Sequence, residues 1–526
     1  MRKGKIVQVL IGLLLVAALV LIPIACKAPE VAPPVAPPVA PPVAPPVAPP
    51  VAPPVELTPF RGLADVPEIE NKTPIHIGLE VGGSAELIIP YVEAFAAKTG
   101  VPVTYEMLAH GVQYPKFNVE LISGTGAYDI LYVETSFTND WGPYLWNVKD
   151  LAEKYDPRGA AGIEEYSAGE HPTMLRCASD RAGNLKGIPY YTYNQCMFVR
   201  QDVLDDPTEK AAFMERYGYE LAAPTTYEQV YDQGEFFTRK KGELLKGVPL
   251  EWDLYGLSLM AGRLEINDEI ATMVWGEGTK KYGEGENLDF VTLIRDEAGK
   301  AKEWVITKKD KEALRWALET YKSLVQFASP ACKTGWWDVC SAQFSEGYTI
   351  MQPNMYVSLD QWCGQVEDNV PGARLQLYPC VNGTGYVGNF YEAVAKASKN
   401  PEASYWMMMY IGSPENQRAM SEGGWSGVRM EVDRDPKYQT EEWRTLVGMR
   451  AKVCLEQWDH YLTPEFVNNL YWFNSTAAGK VYDMQRAPMH EAAIGVLSID
   501  DAMKEIVEGT IELESKLGDL PISEEL

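Results

Sequence analysis

Residues 75–133 alternate between strand and helix patterns in a rhythm that few folds can accommodate. Residues 75–79 alternate as a strand does, and 86–98 place Leu87, Ile88, Val92, Phe95 and Ala96 on one helical face. Gly100 stands where a helix C-cap belongs. Residues 101–107 predict a second strand, 114–122 a second helix and 128–133 a third strand. Strands joined by crossover helices must run parallel, so this region predicts a doubly wound α/β unit whose ligands bind beyond the C-terminal strand ends. The loops at 80–84 and 134–136 are therefore the first places to seek a site.

The N-terminus reads as an export signal. Arg2, Lys3 and Lys5 precede an apolar run over residues 6–25, and positive charge stays inside while the apolar stretch enters the membrane. The run ends at Ile22-Pro23-Ile24-Ala25-Cys26, which resembles the lipobox of bacterial lipoproteins and implies lipidation of Cys26. Pro23 stands where that pattern has an aliphatic residue, and the run is long enough that an uncleaved transmembrane anchor remains the alternative. Either reading tethers the chain and leaves its bulk outside, periplasmic or at the cell surface. Residues 31–54 then repeat Val-Ala-Pro-Pro six times. Proline at every second position on average forbids helix and ladder alike, so residues 26–58 are expected to form a lipid-anchored stalk in extended polyproline II.

The remainder is long enough for two lobes and carries the apolar content a core needs, 46% over the whole chain. A net charge of -26 argues against nucleic acid, which needs basic patches. Of eight cysteines, Cys26 is claimed by the anchor, and an odd seven cannot all pair. Cys332 and Cys340 are near enough in sequence to close a short loop.

Further segments resemble a known family. Phe95-Ala96-Ala97-Lys98-Thr99-Gly100 and Gly124-Thr125-Gly126-Ala127-Tyr128-Asp129 are followed in order by Gly187-Ile188-Pro189-Tyr190, Pro224-Thr225-Thr226-Tyr227, Phe344-Ser345-Glu346-Gly347, Ala397-Ser398-Lys399-Asn400-Pro401 and Gly424-Trp425-Ser426-Gly427. Together they resemble extracellular solute-binding protein family 1, which includes maltose-binding and other sugar-binding proteins. The resemblance implies a two-lobe periplasmic-binding-protein-like α/β fold of type II with a ligand cleft between lobes. It places the crossings near 189–194 and 386–391, one lobe at 72–190 plus 390–450 and the other at 195–385 plus 455–515. It also implies a non-enzymatic receptor that hands a small solute, a carbohydrate first of all, to the permease of an ABC importer. Polyols and polyamines are the alternatives within the fold; a glycan hydrolase and a sensor-kinase subunit are rivals outside it. Residues 263–309 depart from the family pattern and suggest an enlarged hairpin or surface insertion.

Against 14 Phe the chain has 14 Trp and 29 Tyr, an excess of rings that offer both an apolar face and a hydrogen bond. Sugars use that pairing, stacking C–H faces while their hydroxyls take fixed partners. Strand ends and resemblance together nominate Glu80, Gly83, Glu134, Thr135, Tyr191, Tyr193, Tyr356, Trp362, Trp425, Arg429, Tyr471 and Trp472 as ligand-binding. Trp336-Trp337 fits either a cleft wall or a structural clamp. Gly383-Thr384-Gly385-Tyr386-Val387-Gly388 matches GxGxxG, but a strand-like segment follows it, so no helix N-terminus is offered to a phosphate. The five His residues form no metal spacing, and no cofactor or metal is expected.

Overall fold

A computed structural model describes residues 58–440 and 448–525. The leader, Cys26 and the proline-rich repeat, with the expected anchor and stalk, lie outside the described residues. No described helix is long and apolar enough to cross a membrane.

The opening alternation forms strand β1 (Ile75–Glu80), helix α1 (Gly83–Thr99), β2 (Val103–Leu108), α2 (His110–Ser123) and β3 (Ile130–Glu134). Gly100 ends α1 in the left-handed region at φ 68°, its N–H donating to Ala96 O, as a C-cap should. The chain continues through β4 (Gly187–Thr192), β5 (Gln195–Arg200) and β6 (Tyr255–Leu257) to helix α3 (Ile266–Met273). Then come the hairpin β7 (Thr292–Arg295) and β8 (Ala301–Ile306), helix α4 (Lys308–Leu324), helix α5 (Trp337–Ser345) and β9 (Thr349–Tyr356). A capping box starts α4: Thr307 Oγ1 accepts from Asp310 N at 3.1 Å while the Asp310 carboxylate accepts from Thr307 N at 3.0 Å. Strands β10 (Leu375–Tyr378) and β11 (Asn389–Val394) follow, then α6 (Pro401–Ile411), α7 (Met449–His460), α8 (Ala478–Ala493), α9 (Ile499–Leu517) and β12 (Ile522–Glu524).

Two sheets carry the architecture. One is ordered β2-β1-β3-β11-β4, with β1 parallel to β2 and β3, and β11 antiparallel to both β3 and β4. The other is ordered β10-β5-β9-β6. The chain passes from β4 in the first sheet to β5 in the second with only Tyr193 and Asn194 between, and returns to the first sheet through 379–388 into β11. Helix α6 is buried from Ala403 to Ile411 because it packs against α1 on one side and against β4 and β11 on another. A methionine or leucine side chain so enclosed contributes about 1.5–3 kcal/mol.

The expected surface insertion at 263–309 is only half a surface. Its hairpin exists as β7–β8, extended by β12, but every residue of α3 is buried. The charges that suggested solvent find partners inside instead: Glu269 accepts from Tyr321 Oη, and Glu277 from Tyr227 N at 2.7 Å. The seven described cysteines are free and buried, so Cys332 and Cys340 stand as two thiols where a closed loop was expected. Trp316, on α4, is only partly buried and covered by Lys281 Nζ, 4.8 Å from its ring centre.

Candidate functional site

The strand ends of the two sheets meet at a cavity of about 790 Å³ including its open mouth, a size suited to a small organic ligand. Glu80 ends β1, Glu134 ends β3 and Tyr356 ends β9, and all three line it. Tyr191 reaches it from β4 and Tyr193 from the link into the second sheet. Trp362, on the short helix Asp360–Gly364, completes the nominated residues found there.

Two proline-associated bulges shape this wall. In β9 the register slips by one residue between Gln352 and Met355, at Pro353 and Asn354, just before Tyr356. In β4 the slip falls beside Pro189 and leaves Tyr190 unpaired, just before Tyr191. A bulge changes which face the next side chain takes, and proline, lacking an N–H, is tolerated in a sheet at such a point.

Aromatic rings dominate the lining. Phe390 is central, 4.4 Å from the Tyr193 ring centre, 4.8 Å from Tyr132 and 5.7 Å from Tyr191. Tyr386 stacks on Tyr193 at 6.0 Å, and Tyr356 meets Tyr193 edge-on at 6.3 Å. Trp337 and Trp362 lie nearly parallel, 11° apart with centres 5.6 Å apart. Trp337 is thus a cavity wall, while its neighbour Trp336 is exposed.

The polar chemistry centres on Asp268, which α3 projects into the lining. Asp268 accepts from Tyr356 Oη at 2.5 Å and from Tyr482 Oη. Burial first, then the Asp268 carboxylate, holds the phenols of Tyr356, Tyr386 and Tyr482 well above their usual range, so they remain neutral hydroxyls. Glu265, the residue preceding α3, adds another carboxylate. Tyr191 Oη donates to Ser358 O at 3.3 Å, tying the first sheet to the segment after β9. No metal-binding cluster of His, Cys, Asp and Glu occurs among the described residues.

Of the other nominated residues, Thr135, Trp425, Arg429, Tyr471 and Trp472 stand outside the lining. Gly83 begins α1, directly after the lining residues Val81 and Gly82. Thr135 opens the short helical turn after β3 and is buried against β11, where its hydroxyl accepts from Asn389 N at 3.0 Å. Trp425 backs Tyr191 at 6.2 Å. Arg429 is buried in an ion pair with Glu170 at 2.9 Å and donates to Tyr166 O at 3.0 Å, which makes it a clamp. Tyr471 is buried and donates to Glu514, on α9, at 2.6 Å. Trp472 packs edge-on behind Tyr482 at 4.9 Å, one layer back from the cavity. Tyr132, Glu265, Asp268, Phe390 and Tyr482 were not singled out by the sequence. Tyr132, two residues before Glu134 on the same face of β3, was within reach of period-two reasoning; Glu265 and Asp268 sat in the apparent insertion.

Comparison with known proteins agrees with this architecture. The maltose-bound MalE3 of T. maritima superposes with a TM-score of 0.58 at 15% identity, covering 84% of this chain and 100% of that one. An ABC transporter solute-binding protein of Agrobacterium radiobacter K84 in complex with ribitol gives 0.61 at 16% identity, over 83% and 98%. One from Agrobacterium vitis S4 with bound D-mannitol gives 0.60 at 15%, over 85% and 100%. These neighbours are two-lobe folds, and the likeness extends over most of this chain. In sequence, a probable amino-acid ABC transporter periplasmic-binding protein of Sinorhizobium fredii, y4oP, is 21% identical over 404 residues, 74% of this chain and 81% of its own. Residues 90–444, well over half of the chain, match the model of the bacterial extracellular solute-binding proteins, and the chain belongs to that family.

Proposed function

We propose that this protein is the extracytoplasmic receptor of an ABC importer, that it captures a carbohydrate or polyol, and that it delivers this solute to a membrane permease. One observation carries the reading: a single cavity takes its lining from strand ends of both sheets, with stacked rings beside carboxylate acceptors. Rings offer faces to sugar C–H groups and carboxylates accept from hydroxyls. A ligand touching both sheets favours the closed arrangement of the lobes through its greater affinity for it. In this reading the lobes divide at the two crossings near 189–194 and 386–391, and a lipid at Cys26 holds the receptor at the membrane. The carboxylates Glu80, Glu134, Glu265 and Asp268 on the wall favour a polyamine as the second reading, since an ammonium donates to the same oxygens.

Titration calorimetry of the full chain with maltose, ribitol, D-mannitol and spermidine tests this. Binding of a sugar or polyol, with Trp362→Ala weakening it about tenfold or more through the lost stacking face, supports the first reading. Spermidine binding alone supports the second. Binding of a sugar unaffected by Trp362→Ala overturns the placement of the site.

A further inference from the structure

Behind the cavity wall, two thiols converge on one polar point. Cys340, on α5, donates from Sγ to Leu259 O at 3.1 Å. Cys332, in the turn before α5, has its Sγ 3.4 Å from Ser258 Oγ and accepts from Ser329 Oγ at 3.4 Å. Ser258 Oγ also donates to Cys340 O at 3.1 Å, so one serine joins both residues. Both cysteines are fully buried. Between them in sequence lies Trp337, the ring that stacks on Trp362 in the cavity.

We propose that Cys332 and Cys340 are a redox pair that closes to a disulfide outside the cytoplasm and staples the segment bearing Trp337. The folded surroundings hold the two residues together through Ser258, and before they are enclosed either thiol can attack first.

The electron acceptor is the disulfide of an extracytoplasmic thiol oxidant. The thiolate of one cysteine attacks one sulfur of that disulfide and expels the other as a thiolate, leaving a mixed disulfide. The second cysteine then gives up its proton, attacks the first cysteine's Sγ and expels the second oxidant sulfur. Two thiol protons and two electrons pass to the oxidant, which ends as two thiols. Exchange takes place while the chain is still folding, before the site is enclosed, in a compartment where disulfides persist.

Mass mapping tests the pair. The full chain, exported by living cells, is alkylated with iodoacetamide in denaturant without reductant and digested. The expected product joins Cys332 to Cys340, two hydrogens lighter than the reduced peptides, with Cys177, Cys196, Cys363, Cys380 and Cys454 alkylated. Reductant then lowers the melting temperature of the wild type by at least about 2 °C, and leaves the Cys332→Ser, Cys340→Ser double variant unmoved. Alkylation of all seven cysteines overturns the proposal. So does a bridge through Cys363, whose Sγ donates to Gln352 at 3.2 Å in the same neighbourhood. The mass map of the wild type decides the matter should the double variant not fold.

Discussion

Glu392 occupies an interior strand of the first sheet with both carboxylate oxygens buried and without a hydrogen-bond partner. Burial alone pushes it up to about 8, because a charge has no solvation there. The folded chain therefore keeps a proton that the unfolded chain releases near 4.5, the ordinary glutamate value. Its contribution to stability is fully present below that value and lost as pH rises through about 8. Glu392→Gln should raise stability at pH 8.5 by a few kcal/mol, at roughly 1.4 kcal/mol per tenfold in proton affinity, and change it little at pH 4. Urea unfolding at both pH values checks this; an equal effect at both would refute the assignment. Arg429 and Thr135 show the converse at this scale. Both look like ligand-binding residues in the sequence, yet each has its polar atoms engaged by the protein itself.

At the scale of elements, the turn from β1 into α1 presents Val81 and Gly82 to the cavity. Gly82 has φ 129° and ψ -166°, a conformation that only glycine adopts without strain. An added Cβ would meet nothing within 4 Å, so the cost of Gly82→Ala is torsional. The variant should lose about 1–3 kcal/mol, seen as a lower urea midpoint with an unchanged slope. A gain in stability would show that the turn tolerates a side chain. The bulges at Pro353 and Pro189 work on the same principle. Each is a local irregularity that sets where the following tyrosine goes, and each sits one to three residues before a cavity residue.

Across the whole molecule, buried acids set the pH dependence. Besides Glu392, burial first of all pushes Asp289 and Asp433 up to about 7, against the ordinary value of 3.8. Each holds a proton in the folded state after the unfolded state has lost it, so stability falls as pH climbs from about 4 towards 8. In the other direction Asp180 and Asp202, held low by hydrogen bonds and ion pairs that outweigh their burial, lose their contribution as pH falls below 3.8. A chain of net charge -26 adds self-repulsion at the alkaline end. The melting temperature should therefore be higher at pH 5 than at pH 8.5; scanning calorimetry giving the reverse order would contradict the protonation of these buried acids.

What the sequence determined by itself was local and periodic. The strand and helix alternation at 75–133, the Gly100 cap and the positions Glu80 and Glu134 after their strands were legible because neighbours along the chain impose them. The family followed from short segments in a fixed order. Only the tertiary structure decided which aromatic rings face a cavity and which fill a layer behind it. Trp337 and Trp472 sit in equally aromatic stretches, yet one lines the cavity and the other is packed beneath Tyr482. Charge was undecided for the same reason. The acidic run at 265–269 reads as solvated surface until tyrosines from α4, β9 and α8 supply the hydrogen bonds that let α3 be buried. Those donors come from 52 to 214 residues away along the chain, and long-range pairing of that kind leaves no periodic trace in the sequence.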